Sequence, residues 1–331
     1  MTDKDIVKNY SVNFQNYTPQ CPIIIPSYKN RPGTILNNLS SLSNNKIILF
    51  IYDTDYINYK QYENNQIEIV QIHEQWRSIQ KKRHWIQNYL ANNRPEIENY
   101  LMIDDDINKA KISLIKDDGK ITSKYIPLIN ALGILEDVHK KYSNTISGGS
   151  NTNTGILSGT LVRNTYFYRT YCINNKWVKN NPNCMFRDLE NVAEDTVIWY
   201  DCYNNQQQYY AFDFLFFEYK DQKSGKYSSI SSTPINIAKN MINGLRIMKI
   251  NCQINWSKEW NCWSVRFIPK YNESLWPQLK EILDTNMPDW EDINKTFSNQ
   301  TFITTFDLIN KKVEPIVNKK AIVSTLTDFF M

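Results

Sequence analysis

The sequence predicts an α/β fold: a mostly parallel sheet flanked by helices, followed by a smaller C-terminal α+β extension. Three observations carry this. Short apolar, β-branched runs recur at Cys21–Pro26, Lys46–Tyr52 and Tyr100–Ile103, with Ile67–Ile72 a further candidate. Runs this uniformly apolar suit strands covered on both faces. Segments with apolar residues at helical spacing separate them, as in repeated strand–helix units. Several of the runs stop on polar or acidic residues, and in such sheets ligands sit beyond the carboxyl ends of the strands.

Taken in order, residues 1–19 read as a polar lead-in. The first strand breaks into Ser27-Tyr28-Lys29-Asn30-Arg31-Pro32-Gly33, a polar turn with two cations, and Ile35, Leu36, Leu39 and Leu42 then follow at helical spacing. The second strand ends at Asp53. Residues 74–93 read as a helix carrying Trp76, Ile79, Ile86, Tyr89 and Leu90, with Arg77, Lys81, Lys82 and Arg83 among them. Asp117-Asp118-Gly119-Lys120 predicts a hairpin turn. Residues 127–141 predict a helix. Ser147–Gly155 reads as an active-site loop or a linker, with the loop preferred, and a hairpin turn is expected at Asn174-Asn175. Leu189–Trp199 predicts a helix with Glu194 and Asp195 near its start, where acids also suit the helix dipole. Tyr209–Tyr219 predicts an aromatic strand. Ser228–Pro234 marks a boundary, so the expected layout is a catalytic domain over 20–233 and an accessory, acceptor-side region over 234–331.

The chemistry centres on Tyr100-Leu101-Met102-Ile103-Asp104-Asp105-Asp106-Ile107. An apolar strand here runs straight into three carboxylates. Alternation sends Asp104 and Asp106 to one side and Asp105 to the other. Two converging carboxylates repel each other unless a cation lies between them, and hard ions such as Mg²⁺ or Mn²⁺ bind through such acids plus substrate phosphates. A solvated acidic turn is the plain alternative. The shared placement of Ser27–Arg31, Asp53 and Asp104–Asp106 at strand ends favours the ligand reading. Such a set suits a nucleotide diphosphate, with Lys29, Arg31 and Arg83 adding positive charge and Asp53 accepting a hydrogen bond from a base or ribose. A transferred sugar would need an acceptor hydroxyl and a general base, for which Asp195 or Glu194 is the candidate.

These residues resemble a known class. Pro26-Ser27-Tyr28-Lys29-Asn30-Arg31, Asp53, Ile103-Asp104-Asp105-Asp106 and Ala193-Glu194-Asp195 together resemble the GT-A-fold glycosyltransferases. More narrowly, Lys82-Arg83-His84-Trp85-Ile86 followed by Leu101–Ile107 is similar to the glycosyltransferases associated with TET/JBP-type dioxygenases, which act on hydroxymethylated pyrimidines in DNA. The resemblance spans about residues 20–220. It implies a nucleotide-sugar donor, UDP-glucose, bound by Pro26, Ser27, Tyr28, Lys29, Arg31, Asp53, Arg83, Asp104 and Asp105. It implies Mn²⁺ or Mg²⁺ on Asp104 and Asp106, Asp195 as the base beside Glu194, an inverting displacement, and a DNA acceptor. One feature departs from the class: many of its members add a late histidine to the metal, whereas the histidines here are His73, His84 and His139.

Other classes stay open on the residues alone. Carboxylate clusters also serve metal-dependent nucleotidyl or phosphoryl transfer, and a glycan, lipid or protein acceptor fits the same donor site. Trp256, Trp260 and Trp263 among Lys258, Arg266 and Lys270 could stack bases, though core packing is the better reading; a non-catalytic nucleic-acid binder is the remaining alternative. A net charge of +4 is compatible with phosphate-bearing ligands without requiring them. Six scattered cysteines without a C-x-x-C pair argue for buried thiols rather than zinc. The polar opening and the lack of a span-length apolar stretch lead to the expectation of a soluble, intracellular protein.

Overall fold

The computed structural model describes residues 3–27, 33–39, 46–76, 78–142, 145–150, 167, 169–188, 194–219, 252–257, 262–267 and 302–304. The chain divides into two compact units, 1–189 with 193–221, and 190–192 with 222–331.

The first unit is built on a nine-stranded sheet. Its strands are β1 (Ile23–Pro26), β2 (Ile47–Tyr52), β3 (Ile67–Ile72), β4 (Asn99–Ile103), β5 (Ile107–Ile115), β6 (Ile121–Ile126), β7 (Ile146–Ser150), β8 (Thr170–Asn174) and β9 (Tyr209–Tyr219), in the order β3-β2-β1-β4-β8-β7-β9-β5-β6. The α/β class predicted from sequence is what the chain adopts. The first four strands in that order are parallel. Beyond β4 the sheet is mixed: β8 runs antiparallel to β4 and β7, β7 runs parallel to β9, and β5 is antiparallel to both β9 and β6. The β5–β6 turn explains part of the change, because a short hairpin joins only antiparallel strands. Gly119 takes the left-handed backbone there, at φ +80°, as the Asp-Gly turn requires.

The helices are α1 (Asp3–Asn13), α2 (Gly33–Asn38), α3 (Tyr56–Tyr59), α4 (Ile79–Asn93), α5 (Leu128–Tyr142), α6 (Asn175–Asn180) and α7 (Glu194–Asn204). Both faces of the sheet are covered. In β1, Ile23 and Ile25 join one core cluster and Ile24 the other; in β4, Leu101 and Ile103 face one way and Tyr100 and Met102 the other. That period-two division explains why these strands read as continuous apolar runs.

Three expectations are corrected. Residues 3–13 are not a lead-in: Val7 and Tyr10 of α1 are buried in the core, Tyr10 lies 5.6 Å from the Phe214 ring, and its hydroxyl donates to Asp137 at 2.6 Å. Their charged neighbours hide this in the sequence. Ser147–Ser150 is buried strand rather than loop. Its glycines are there for space, since a Cβ on Gly148 would lie 2.2 Å from the Phe167 ring and one on Gly149 2.4 Å from that of Phe217. Residues 151–155 lie outside the described residues. Finally, Asn174-Asn175 is no hairpin turn; the Asn174 side chain accepts from the Trp177 backbone N–H at 2.8 Å and caps α6, a local bond that competes with turn formation.

In the second unit, β10 (Cys252–Ser257) pairs antiparallel with β11 (Cys262–Phe267), with Trp256 opposite Trp263, and with β12 (Phe302–Thr304). Residues 235–249 and 274–284, which the sequence pattern predicts as helices, lie outside the described residues. Among the described residues no helix is long and apolar enough to cross a membrane. Cys21, Cys172, Cys184 and Cys202 are buried free thiols.

Candidate active site

The site forms where β4 runs out. β8 lies antiparallel to β4 with Thr170 opposite Ile103, so Arg169 falls beside Asp104. The Asp104 backbone N–H donates to the Arg169 carbonyl at 3.0 Å. The three aspartates part as strand alternation predicts. Asp104 and Asp106 both meet the Arg169 guanidinium, at 3.8 Å from Nε and 3.2 Å from Nη1. Asp105 turns to the other side and accepts from the Ser27 hydroxyl at 2.7 Å.

Arg83 is the second organising residue. It lies on the face of α4 that also buries Gln80, Ile86, Gln87 and Leu90, and it is 1% exposed. Its Nη2 donates to Asp104 Oδ1 at 2.7 Å, and its Nη1 lies 3.0 Å from Glu194 Oε1, 3.0 Å from Asp195 Oδ1 and 3.3 Å from the Tyr171 hydroxyl. The sequence reading offered Arg83 to the donor phosphates. In the structure that guanidinium is buried and engaged by three carboxylates. His84, next along the helix, bonds the Phe186 carbonyl at 2.6 Å and stays structural.

Glu194 and Asp195 open α7, as the sequence predicted. Burial pushes the Asp195 carboxyl up to about 6, against the opposing pull of Arg83. Glu194 is likewise raised, again chiefly by burial. Arg83 itself is held firmly protonated: burial disfavours its charge, but Asp104, Asp195 and Glu194 outweigh that. Asp106 is pushed up to about 6 by burial and by the negative charge of Asp104.

The first loop is seen at its root. Pro26 closes β1, and Ser27 is fully buried. With its proton given to Asp105, the Ser27 hydroxyl accepts from Tyr59 at 2.9 Å. The Lys82 ammonium donates to the Ser27 carbonyl at 2.7 Å and lies 3.8 Å from the Tyr52 ring centroid. Tyr28, Lys29 and Arg31 lie outside the described residues. Asp53 is exposed at the end of β2, where its carboxylate accepts from the Thr54 backbone N–H at 2.8 Å.

A divalent cation fits the donor chemistry of Asp104 and Asp106. Both offer hard oxygen, and a cation would hold ionised an Asp106 carboxyl that burial first, and the charge of Asp104 second, push up. Among the described residues no group of three or more His, Cys, Asp or Glu side chains is placed to hold a metal.

No family model matches the chain, and no curated protein matches it in sequence. Among solved structures, GalNAc-T7 with UDP, GalNAc and Mn²⁺ aligns over 85% of this chain at 9% identity, with a TM-score of 0.44. The alignment covers 54% of GalNAc-T7, so the chain spans about half the length of that neighbour. A 4-diphosphocytidyl-2C-methyl-D-erythritol synthase from Anaerococcus prevotii DSM 20548 aligns over 60% of this chain and 87% of its own, at 11% identity and a TM-score of 0.37. Likenesses this distant do not reach to substrate or chemistry, and the reading of the site rests on its own residues.

Sequence reasoning missed Arg169 and Tyr171. No local motif marks them. The only signal is the antiparallel pairing of β8 with β4, and that pairing is not written in either strand alone. Arg169 has a left-handed backbone at φ +63°, uncommon for a residue with a side chain.

Proposed function

We propose that the chain is a metal-dependent glycosyltransferase of the GT-A type. It would move glucose from UDP-glucose to an acceptor hydroxyl, and the acceptor would be a hydroxymethylated pyrimidine in DNA. The observation that supports transfer is the convergence of two acidic groups on one arginine. Arg83 holds Asp104, from the acids at the strand end, and Asp195, from the start of α7. A sugar transferase needs negative charge at two neighbouring places: ligands for a cation beside the leaving diphosphate, and a base beside the acceptor hydroxyl.

In this reading Asp195 takes the proton of the acceptor hydroxyl as its oxygen forms a bond to the anomeric carbon. The bond from that carbon to the diphosphate oxygen breaks on the opposite side, UDP leaves with the electron pair, and the configuration inverts. A bound Mn²⁺ or Mg²⁺ held by Asp104 and Asp106 supplies charge neutralisation at the diphosphate. Ser27 and Lys82 would brace the root of the donor loop, and Asp53 would accept a hydrogen bond from the base or ribose. The choice of glucose and of DNA rests on the resemblance of the Lys82–Ile86 and Leu101–Ile107 motifs. A DNA acceptor would have to be flipped out of the stack to reach Asp195.

The test is a panel of nucleotide sugars with Mn²⁺, scored for release of the nucleoside diphosphate, followed by mass spectrometry of plain and hydroxymethylated DNA. A gain of one hexose on hydroxymethylated DNA alone supports the full reading. UDP release without DNA modification moves the acceptor to a glycan, lipid or protein. Pyrophosphate release would replace glycosyl transfer with nucleotidyl transfer. Salt-dependent DNA binding with no donor binding would leave a nucleic-acid-binding protein.

A further inference from the structure

Two arginines serve the acids at the end of β4, and they are held in opposite ways. Arg83 is buried to 1% exposure and reaches its acids at 2.7–3.0 Å. Arg169 has a side chain 32% exposed and reaches Asp104 and Asp106 at 3.8 and 3.2 Å. Partly exposed pairs at such distances are weakly held, whereas a buried network is not readily opened.

The two also divide the oxygens of Asp104. Oδ1 belongs to Arg83, and Oδ2 faces Arg169, which in turn meets Oδ2 of Asp106. The oxygens facing Arg169 are thus one from each carboxylate that would ligate a divalent ion. Asp104 could pass Oδ2 to that ion while Arg83 keeps Oδ1 in place. The Arg169 backbone is pinned independently: its carbonyl accepts from the Asp104 N–H at 3.0 Å, beside the β4–β8 ladder. Its side chain can therefore leave without moving the strand.

We propose that Arg169 is a displaceable internal counter-ion. In the donor-free protein it supplies the positive charge that Asp104 and Asp106 would otherwise draw from a divalent ion. When the ion binds, Arg169 is released and pairs with the diphosphate of the donor. This rests on the nucleotide-sugar reading of the same site and adds an order to it. The ion alone displaces Arg169 without bringing it an anion, whereas the ion and the diphosphate together do both. Metal and nucleotide therefore raise each other's affinity, by the same factor in both directions.

The experiment is a Mn²⁺ titration followed by electron paramagnetic resonance, with and without UDP, on wild-type protein and on Arg169→Gln and Arg169→Lys. Without nucleotide, Arg169→Gln binds Mn²⁺ on the order of tenfold more tightly than wild type, the scale of one partly exposed charge at this range. In that variant UDP raises Mn²⁺ affinity by a much smaller factor than in wild type. Arg169→Lys, which keeps the charge, stays near wild type. If Arg169→Gln does not fold, Arg169→Gly, which accepts the left-handed backbone, takes its place. Mn²⁺ affinity no tighter in the folded neutral variant than in wild type, without nucleotide, overturns the proposal. The two readings fail separately. Tighter Mn²⁺ binding in a protein that turns over no nucleotide sugar removes the glycosyltransferase and keeps the counter-ion. Sugar turnover with unchanged Mn²⁺ affinity does the reverse.

Discussion

Asp195 lies 3.0 Å from the Nη1 of Arg83, a residue 112 positions earlier in the chain. The same guanidinium holds Asp104 through its other terminal nitrogen. One buried cation thus joins the acids of a strand end to those of a helix start.

Removing that cation should cost more than removing any one of its partners. Arg83→Met leaves three carboxylates facing each other in a partly dry space, and breaking a buried network of this kind costs roughly 3–5 kcal/mol. Arg83→Lys should recover little, because one ammonium cannot span acids placed around a planar fork. Urea denaturation of both variants checks this; a loss under about 1 kcal/mol would mean the acids find solvent or one another at little cost.

Asp195→Asn keeps the shape of the side chain and removes its capacity to take a proton. Turnover should fall by roughly 10²–10⁴-fold, the usual contribution of a general base, while UDP affinity in the presence of Mn²⁺ changes little. Stopped-time assays paired with calorimetry separate the two quantities. Unchanged turnover would remove Asp195 from the mechanism.

The base has to be ionised to work. Burial raises the Asp195 carboxyl from 3.8 to about 6, so kcat/KM should climb with pH through about 6 and level off above it. The stability effect has the opposite sense. A carboxyl raised on folding holds its proton better in the native state than in the unfolded one, so its contribution is present below 3.8 and is lost as pH rises through about 6. In Asp195→Asn the acid limb of the residual rate should vanish; its persistence would assign the limb to another group.

Lys82 gives a stability effect in a different pH range. Burial pushes its ammonium down to about 7 from 10.5, with Asp105 and Asp55 opposing the shift. Above about 7 the unfolded chain binds more protons here than the folded one, so stability should rise with pH toward 10.5. Urea midpoints measured from pH 6.5 to 9 should show that rise in wild type, and Lys82→Met should flatten it. Parallel curves for the two proteins would place the Lys82 ammonium in contact with water.

Gly148→Ala tests the strand assignment of β7. The added methyl would meet Phe167 ring carbons at 2.2 Å and the Thr170 carbonyl at 2.3 Å. Overpacking of this kind costs about 1–3 kcal/mol, read as a lower melting temperature. A neutral substitution would return this segment to the loop first expected of it.

How far the chain could be read in advance differs from element to element. Ile23–Pro26, Ile47–Tyr52 and Asn99–Ile103 were legible because burial on both faces leaves an uninterrupted apolar run. The Asp117–Lys120 turn and the Glu194–Asp195 helix start were legible because turns and caps use neighbouring residues. Ser147–Ser150 misled, since glycine marks both a loop and a strand crowded by rings, and the rings of Phe167 and Phe217 are far along the chain. Arg83 misled for a related reason. A cation near a strand end reads as a phosphate ligand until its protein partners, Asp104, Glu194 and Asp195, are brought to it.

Residue order therefore accounts for the class of fold, the acidic strand end and the acids at the helix start, all of which are patterns within about a dozen neighbours. Packing alone decided that Arg83 binds protein carboxylates, that Arg169 stands against Asp104 and Asp106, and that the sheet turns mixed beyond β4. Each of these depends on strand pairing and burial between distant segments, and those energies have no counterpart in local sequence.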